Sequence, residues 1–278
     1  GNWMPMNNGI VDLRLWGLAI SQPTSATSPY KVWVGSYGGG VYFSADSGQS
    51  FTAKNSGLNC VYVRNVRLLG SRLLASTDCA ANSGVYYSDD DGNSWTLSTG
   101  DIPASAKVNS ISYINPTGAT AYLLANTSVG VFKSTNNAGS FTALTTSPGE
   151  PATTDMPERK NTYSISWISS GSTVTLLATV EGLGVYRSSD AGATWTKSNT
   201  GLPTSAALVP MSGMTSNGSG TFYLALDRFG VFKSTDQGTT WSQMSADAVL
   251  PSARYIQVIN GTLYAATQAG PYMSPDGG

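Results

Sequence analysis

The chain has 278 residues, of which 11% are charged, with a net charge of −1 at neutral pH and no histidine. That balance leaves no basic face for nucleic acid, and without imidazole the Ser-His-Asp and Cys-His nucleophile systems and the usual zinc sites are excluded. No run of eighteen apolar residues marks a membrane span and the two cysteines do not form a Cys-x-x-Cys motif, so no metal, cofactor or membrane insertion is expected.

From the start, GNWMPMNNGI has neither the basic opening nor the apolar stretch of an export signal, and any such signal is expected to have been removed. The first strand-forming segment, LRLWGLAI (13 to 20), leads to KVWVGS and then to GVYFSADSGQSF (40 to 51). That last segment returns as GVYYSDDDGNSW (84 to 95), GVFKSTNNAGSF (130 to 141), GVYRSSDAGATW (184 to 195), GVFKSTDQGTTW (230 to 241) and the truncated GPYMSPDGG (270 to 278). Each copy reads as strand, tight polar turn, strand. A carboxylate (Asp46, Asp90, Asp190, Asp236, Asp276, with Asn136 in the third copy) is placed to accept backbone N–H groups. A glycine supplies a positive φ, and an aromatic residue packs between sheets. SDDDGNSW has the look of an acidic metal loop, but its sister turns carry no acidic cluster, so Asp89, Asp90 and Asp91 read as turn scaffolding. The third copy, with Asn136 and Ala138, is expected to be the least regular.

The pattern S-x-D-x-G-x-[ST]-[WF] behind Gly-Val-aromatic resembles the Asp-box, or BNR repeat, of sialidases and other bacterial β-propellers, and it covers the whole chain in five full copies and a sixth half-copy. The resemblance implies an all-β fold, a six-bladed β-propeller of four-stranded blades forming one domain over residues 1–278. It specifies no activity, because propellers of many activities carry the repeat. In the second repeat VYVRNVRLL, LLAST, GVYYS and SWTLS serve as the four strands of a blade. Joined end to end, SPDGG and GNW restore a sixth turn with Trp3 as its aromatic. The following MPMNNGI then matches TAKNSGL, TLSTGDI and TKSNTGL, so the N-terminal strand is expected to complete the last blade and close the ring. Ends that meet inside one turn fit a ring excised from, or inserted in, a longer protein.

Cys60 precedes the first strand of its blade and Cys79 follows the second. Antiparallel neighbours bring these ends together, so a disulfide is expected, and with it an oxidising compartment, extracellular or periplasmic.

In propellers of this kind ligands sit opposite the repeated turn, on the top face. Aligning the first strands on Trp16, Val66, Ile111, Ile165, Met211 and Ile256 places Arg14, Arg64, Asn109, Tyr163, Val209 and Arg254 at one register. A cluster of Arg14, Arg64 and Arg254 suits carboxylate or phosphate recognition. Glu181 and Asp227 lie in loops between second and third strands near Tyr163, and Tyr37 in SYGGG suits stacking on a sugar or gripping a protein. Sialidases use an arginine triad, a Tyr/Glu nucleophile pair and an aspartic acid; these residue types are present, with LRLWGL in place of the family's Arg-Ile-Pro. In the competing reading the arginines pair with local acids such as Asp12 and Asp78 and line a wet channel. The segment SPGEPATTDMPERKNTY adds a polar insertion to the top face. The expected function is an extracellular, non-catalytic binding or scaffolding propeller whose ligand is carbohydrate or a partner protein. A sialidase-like glycoside hydrolase and a subunit of an extracellular filament or surface layer stay open as alternatives, as does the oligomeric state.

Overall fold

The computed structural model describes residues 4–23, 25, 27–144, 160–171, 173–204, 213–245, 253 and 255–275. Among them there is no helix, and the strands form six sheets. The first is β1 (Leu15–Ile20), β2 (Val32–Ser36), β3 (Gly40–Ser44) and β4 (Thr52–Ala53); the second is β5 (Val63–Leu69), β6 (Arg72–Thr77), β7 (Val85–Ser88) and β8 (Thr96–Leu97). The third gathers β9 (Thr99–Gly100), β10 (Val108–Ile114), β11 (Tyr122–Thr127), β12 (Gly130–Ser134) and β13 (Ser140–Ala143). The fourth is β14 (Thr162–Ser170), β15 (Thr173–Val180), β16 (Gly184–Ser188) and β17 (Thr196–Lys197); the fifth is β18 (Met214–Ser216), β19 (Phe222–Leu226), β20 (Gly230–Ser234) and β21 (Ser242–Ser245). The sixth has β22 (Tyr255–Ile259), β23 (Thr262–Thr267) and β24 (Gly270–Ser274). Each sheet is a meander in chain order, and β9 joins the third in parallel, with Thr99 opposite Ser140. The fold class is a six-bladed β-propeller. The chain divides into two compact units, Gly1–Ile111 with Phe132–Thr142, and Ser112–Val131 with Ala143–Gly278. The expected closing strand at Trp3 and the turn at Asp276 lie outside the described residues.

The second strands of the first five sheets are buried on both faces, which is why they read as unbroken apolar or small-residue runs such as VWVGS and FYLAL. In the first unit Ala19 and Trp33 pack against Val63, Val66, Leu73, Ala75, Tyr86 and Trp95 of the next sheet. In the second, Ile168 and Leu177 share a core with Phe222, Leu224, Phe232 and Trp241.

The repeated turn has one hydrogen-bond pattern. Asp46 Oδ1 accepts from the Ser44 hydroxyl (2.6 Å) and the Ser50 N–H (3.0 Å), while the Gly48 N–H donates to Ser44 Oγ (2.8 Å). The same bonds recur around Asp90, Asp190 and Asp236. The third copy is as regular as the others, contrary to expectation. Asn136 Oδ1 accepts from Ser134 and from the Ser140 N–H, and its amide nitrogen donates to Ser140 Oγ. Ala138 occupies the glycine position at φ 68°, a left-handed conformation that costs a non-glycine residue about 1 kcal/mol. All three aspartates of SDDDGNSW have protein partners. Asp89 takes a bidentate ion pair from Arg72 at 2.7 Å, Asp90 is the turn carboxylate, and Asp91 pairs with Lys31 at 2.6 Å.

A second contact repeats between neighbouring sheets. The backbone N–H of the turn's aromatic residue donates to a carbonyl in the segment that leads into its own blade: Phe51 to Asn8 (2.9 Å), Trp95 to Ser56 (2.8 Å) and Trp241 to Thr200 (2.9 Å). The next residue of that segment is glycine each time, and a β-carbon on Gly9, Gly57 or Gly201 would land on the aromatic residue's own carbonyl oxygen. Gly100 meets Phe141 in the same way, and the Asp101 N–H donates to the Phe141 carbonyl (2.8 Å). MPMNNGI is thereby matched to the exit segments of other blades, as its sequence implies. Trp95 and Trp241 add indole N–H bonds to the carbonyls of Lys54 and Ser198.

Two outcomes are expected. Gly57→Ala and Gly201→Ala combine a backbone collision with a disfavoured φ of 80° or 88°, and each should lower unfolding free energy in urea by on the order of 2 kcal/mol or more. A change within error would mean that the crossing is loose. For the turn carboxylates, hydrogen bonds from Ser44 and Ser50 lower the Asp46 pKa to about 2. Around Asp236 partial burial opposes the bonds from Thr240 and Ser234, which prevail and bring it to about 2. An unfolded aspartate titrates near about 3.9, so this stabilisation is complete above that pH and is lost as pH falls toward the folded value. Acid titration of stability should show that decline, and Asp236→Asn, which copies Asn136, should make it shallower.

Candidate functional site

Strand pairing sets which side chains gather at the end of the blades opposite the repeated turn. Leu15 pairs with Ser36 and Gly17 with Gly35, leaving Trp16 as an extra residue. In the second blade Val63 pairs with Thr77 and Asn65 with Ser76, leaving Arg64; in the fourth Thr162 pairs with Val180 and Ser164 with Thr179, leaving Tyr163. Trp16, Arg64 and Tyr163 are thus the bulge residues of three first strands, and a bulge re-aims its side chain away from the sheet. This corrects the sequence alignment in blade one by two residues: Leu18, not Trp16, matches Val66 and Ile165, and Arg14 matches Tyr62 and Asn161. The N–H groups of Tyr37, Asp78 and Glu181, each just past the end of a second strand, donate to the carbonyls of Arg14, Tyr62 and Asn161 respectively. Asp227 follows β19 at that same position. The alignment failed because tryptophan reads as a core residue in sequence, while the bulge that turns it outward has no sequence signature.

In the first unit these positions form one cluster. Trp16 stacks on Tyr37 with centroids 5.1 Å apart and planes 20° from parallel, and Tyr37 meets Tyr62 edge-on at 5.1 Å. The Arg64 guanidinium lies 5.0 Å from the Trp16 ring centre, within cation–π range. Asp78, with its side chain only 5% exposed, faces Arg64 Nε at 3.6 Å and Lys107 at 3.7 Å and accepts from the Tyr37 hydroxyl at 3.1 Å. Arg64 Nη1 also donates to Asn109 at 2.9 Å. Burial first, then the charge of Asp78, pushes the Tyr37 hydroxyl above its ordinary pKa and keeps it a donor. Arg14 grips Asp12 through Nε (3.1 Å) and Nη2 (2.7 Å), and that grip lowers Asp12 to about 2. Trp16 is 51% exposed and Tyr62 41%, and the Arg14 and Lys107 side chains are 63% and 56% exposed, so the cluster opens to solvent on aromatic and cationic surface. Cys60 and Cys79 are joined in a disulfide with Cα atoms 5.9 Å apart, tying together the segments that carry Tyr62 and Asp78.

Tyr37, Arg14 and Arg64 therefore come together, with both arginines engaged by local acids. Arg254 lies outside the described residues, as does most of the blade-four insertion. In the second unit the amide of Asn161 donates to the Tyr163 hydroxyl and to Glu181, both at 2.9 Å. Asp227 belongs to a separate turn with left-handed Arg228. Trp16, Tyr62, Lys107 and Asn109 are the cluster members that sequence reasoning passed over as site residues, and Asp78 figured there only as a partner for arginine.

No family model matches the chain, and no curated protein matches its sequence. Solved structures share the fold. An ancestral GH74 enzyme is 18% identical with a TM-score of 0.66 over 93% of this chain and 39% of its own. The GH74 xyloglucanase of Xanthomonas campestris is 17% identical, TM-score 0.55, over 94% and 43%. YCF48 bound to D1 peptide is 14% identical, TM-score 0.59, over 87% and 74%. This chain thus spans about two fifths of the GH74 chains it matches, and at these identities the likeness concerns the fold.

Asp78→Ala would leave Arg64, whose side chain is 16% exposed, without its carboxylate and Tyr37 without its acceptor. A loss of about 3 kcal/mol is expected in chemical unfolding; an unchanged midpoint would show that Asp78 does not hold the cluster.

Proposed function

We propose that the chain is a non-catalytic binding or scaffolding propeller that holds carbohydrate against the Trp16–Tyr37–Tyr62 cluster. The observation that carries this reading is the stack of Trp16 on Tyr37 beside paired polar groups, with Trp16 51% exposed. Aromatic faces with a few convergent donors and acceptors are the usual makings of a small-ligand site. The Ser–Asp–Ser turns support membership of the Asp-box repeats, with one module over 1–278. The disulfide supports an extracellular or periplasmic location, since such bonds persist in oxidising compartments. The fold neighbours include an enzyme named for xyloglucan and a protein bound to a peptide, so the architecture itself accommodates either kind of ligand. Tyr163 and Glu181 meet through the Asn161 amide, an arrangement we read as polar support.

Incubation with soluble and insoluble polysaccharides tests this reading. Retention without release of reducing ends is expected, and Tyr62→Ala should weaken retention several-fold while leaving the folded spectrum intact. Catalytic release of reducing ends would contradict it.

A further inference from the structure

The open surface of the cluster carries more positive than negative charge. Resting on the carbohydrate reading above, we infer that the ligand is an acidic saccharide: its carboxylate is taken by the uncommitted edge of the Arg14 guanidinium, with Lys107 adding to the field, and its ring lies against Trp16 and Tyr62.

Backbone pairing lays the cluster out as a row. The Tyr37 N–H donates to the Arg14 carbonyl at 2.9 Å, Tyr37 bridges to Tyr62, and the Asp78 N–H donates to the Tyr62 carbonyl at 2.9 Å. Arg14 and Asp78 thus stand at the ends with the two tyrosines between them. Around this row three cations, Arg14, Arg64 and Lys107, face two carboxylates, Asp12 and Asp78. Solvent meets them unequally. The Asp78 and Asp12 side chains are 5% and 18% exposed, whereas those of Arg14 and Lys107 are 63% and 56% exposed. A dissolved ligand therefore encounters the cations, while the carboxylates are largely covered.

Arg14 also keeps a donor edge for a ligand. Its Nε and Nη2 are on the two Asp12 oxygens at 3.1 and 2.7 Å. Gly38 passes so close to this pair that a β-carbon there would lie 2.4 Å from Arg14 Nη2 and 2.5 Å from Asp12 Oδ2. The guanidinium is thereby held in one orientation, and its other edge, Nη1 with the second N–H of Nη2, is uncommitted among the described residues. Two adjacent N–H groups on such an edge match the two oxygens of a carboxylate. The hydrogen bond to Asp12 first, and to a lesser degree the phenols of Tyr62 and Tyr37, raise the Arg14 pKa, which keeps the charge in place beside those rings. Arg64 has a different part: it gives Nη1 to Asn109, turns Nε to Asp78 and lies over Trp16. Trp16 and Tyr62 supply the exposed aromatic surface on which the C–H face of a pyranose packs. A hexuronate joins the two requirements in one unit, since its carboxylate is carried directly on the ring.

Calorimetric titration of the wild-type chain with tetramers of a neutral hexose and of a hexuronate, each at low and high salt, tests the inference, with a glutamate-rich peptide as a third ligand. The hexuronate should bind about tenfold more tightly than the neutral tetramer at low salt. That advantage should shrink at high salt, because exposed charge pairs are screened over a Debye length of about 3 Å at 1 M. Arg14→Gln and Lys107→Gln should each remove much of the advantage while neutral-tetramer binding and the unfolding midpoint hold, which separates lost charge from lost folding. If both tetramers bind the wild type equally, or the preference ignores salt, the inference is overturned and the carbohydrate reading stands. Binding of the peptide alone, or of none of the three ligands, overturns both.

Discussion

Where the chain leaves one blade it passes so close to the next that only glycine fits beneath the carbonyl of the turn's aromatic residue. Gly57 against Trp95, Gly100 against Phe141 and Gly201 against Trp241 are three instances of that crossing, and Gly9 against Phe51 has the same geometry. Each is closed by a backbone hydrogen bond, at Phe51, Trp95 and Trp241 from the aromatic residue's own N–H and at Phe141 to its carbonyl. The Ser–Asp–Ser turn then has an evident purpose. Its carboxylate fixes the two left-handed residues before the aromatic, as at Asp91 (φ 60°) and Gly92 (φ 89°), and so aims the aromatic back at the neighbouring blade. Repetition of one short-range device, with blade-to-blade apolar packing behind it, supplies the stability that repeat folds draw from nearest neighbours.

This is why so much of the fold was legible. The turn's carboxylate, glycine and aromatic are local requirements, and each leaves a residue in the sequence at fixed spacing. The Cys60–Cys79 bridge was legible for a similar reason, since adjacent strand ends follow from the meander. Requirements met by more than one residue type were misjudged. Asn136 reproduces the aspartate bonds with an amide, and Ala138 accepts a left-handed φ, so apparent degeneracy did not mean irregularity. The site was less legible still. A bulge is one unpaired residue in a ladder, and nothing in LRLWGL distinguishes it from ordinary alternation. The arginines stood out by type, whereas their partners Asp12 and Asp78 decide what they do.

The candidate site gains its geometry from the same rigidity. Its residues come from three positions per blade: the residue before the first paired position, the bulge, and the residue after the second strand. In the first unit these are Arg14, Trp16 and Tyr37 from one blade and Tyr62, Arg64 and Asp78 from the next. Side chains held by stacking and by a nearly buried carboxylate lose little freedom when a ligand arrives, and such preorganisation is what allows a small contact area to bind. The disulfide one residue beyond Asp78 reinforces this end of the blades, far along the strands from the repeated turn.

The account stands on the crossing, and native-state hydrogen exchange reads it directly. The amide protons of Trp95 and Trp241 each reach into the preceding blade's exit segment. They should exchange as slowly as those of the fully buried central-strand residues Ala75 and Leu177, because opening them requires separation of whole blades. If they exchange instead at the rate of exposed loop amides while the central strands stay protected, the crossing is not what holds the blades together.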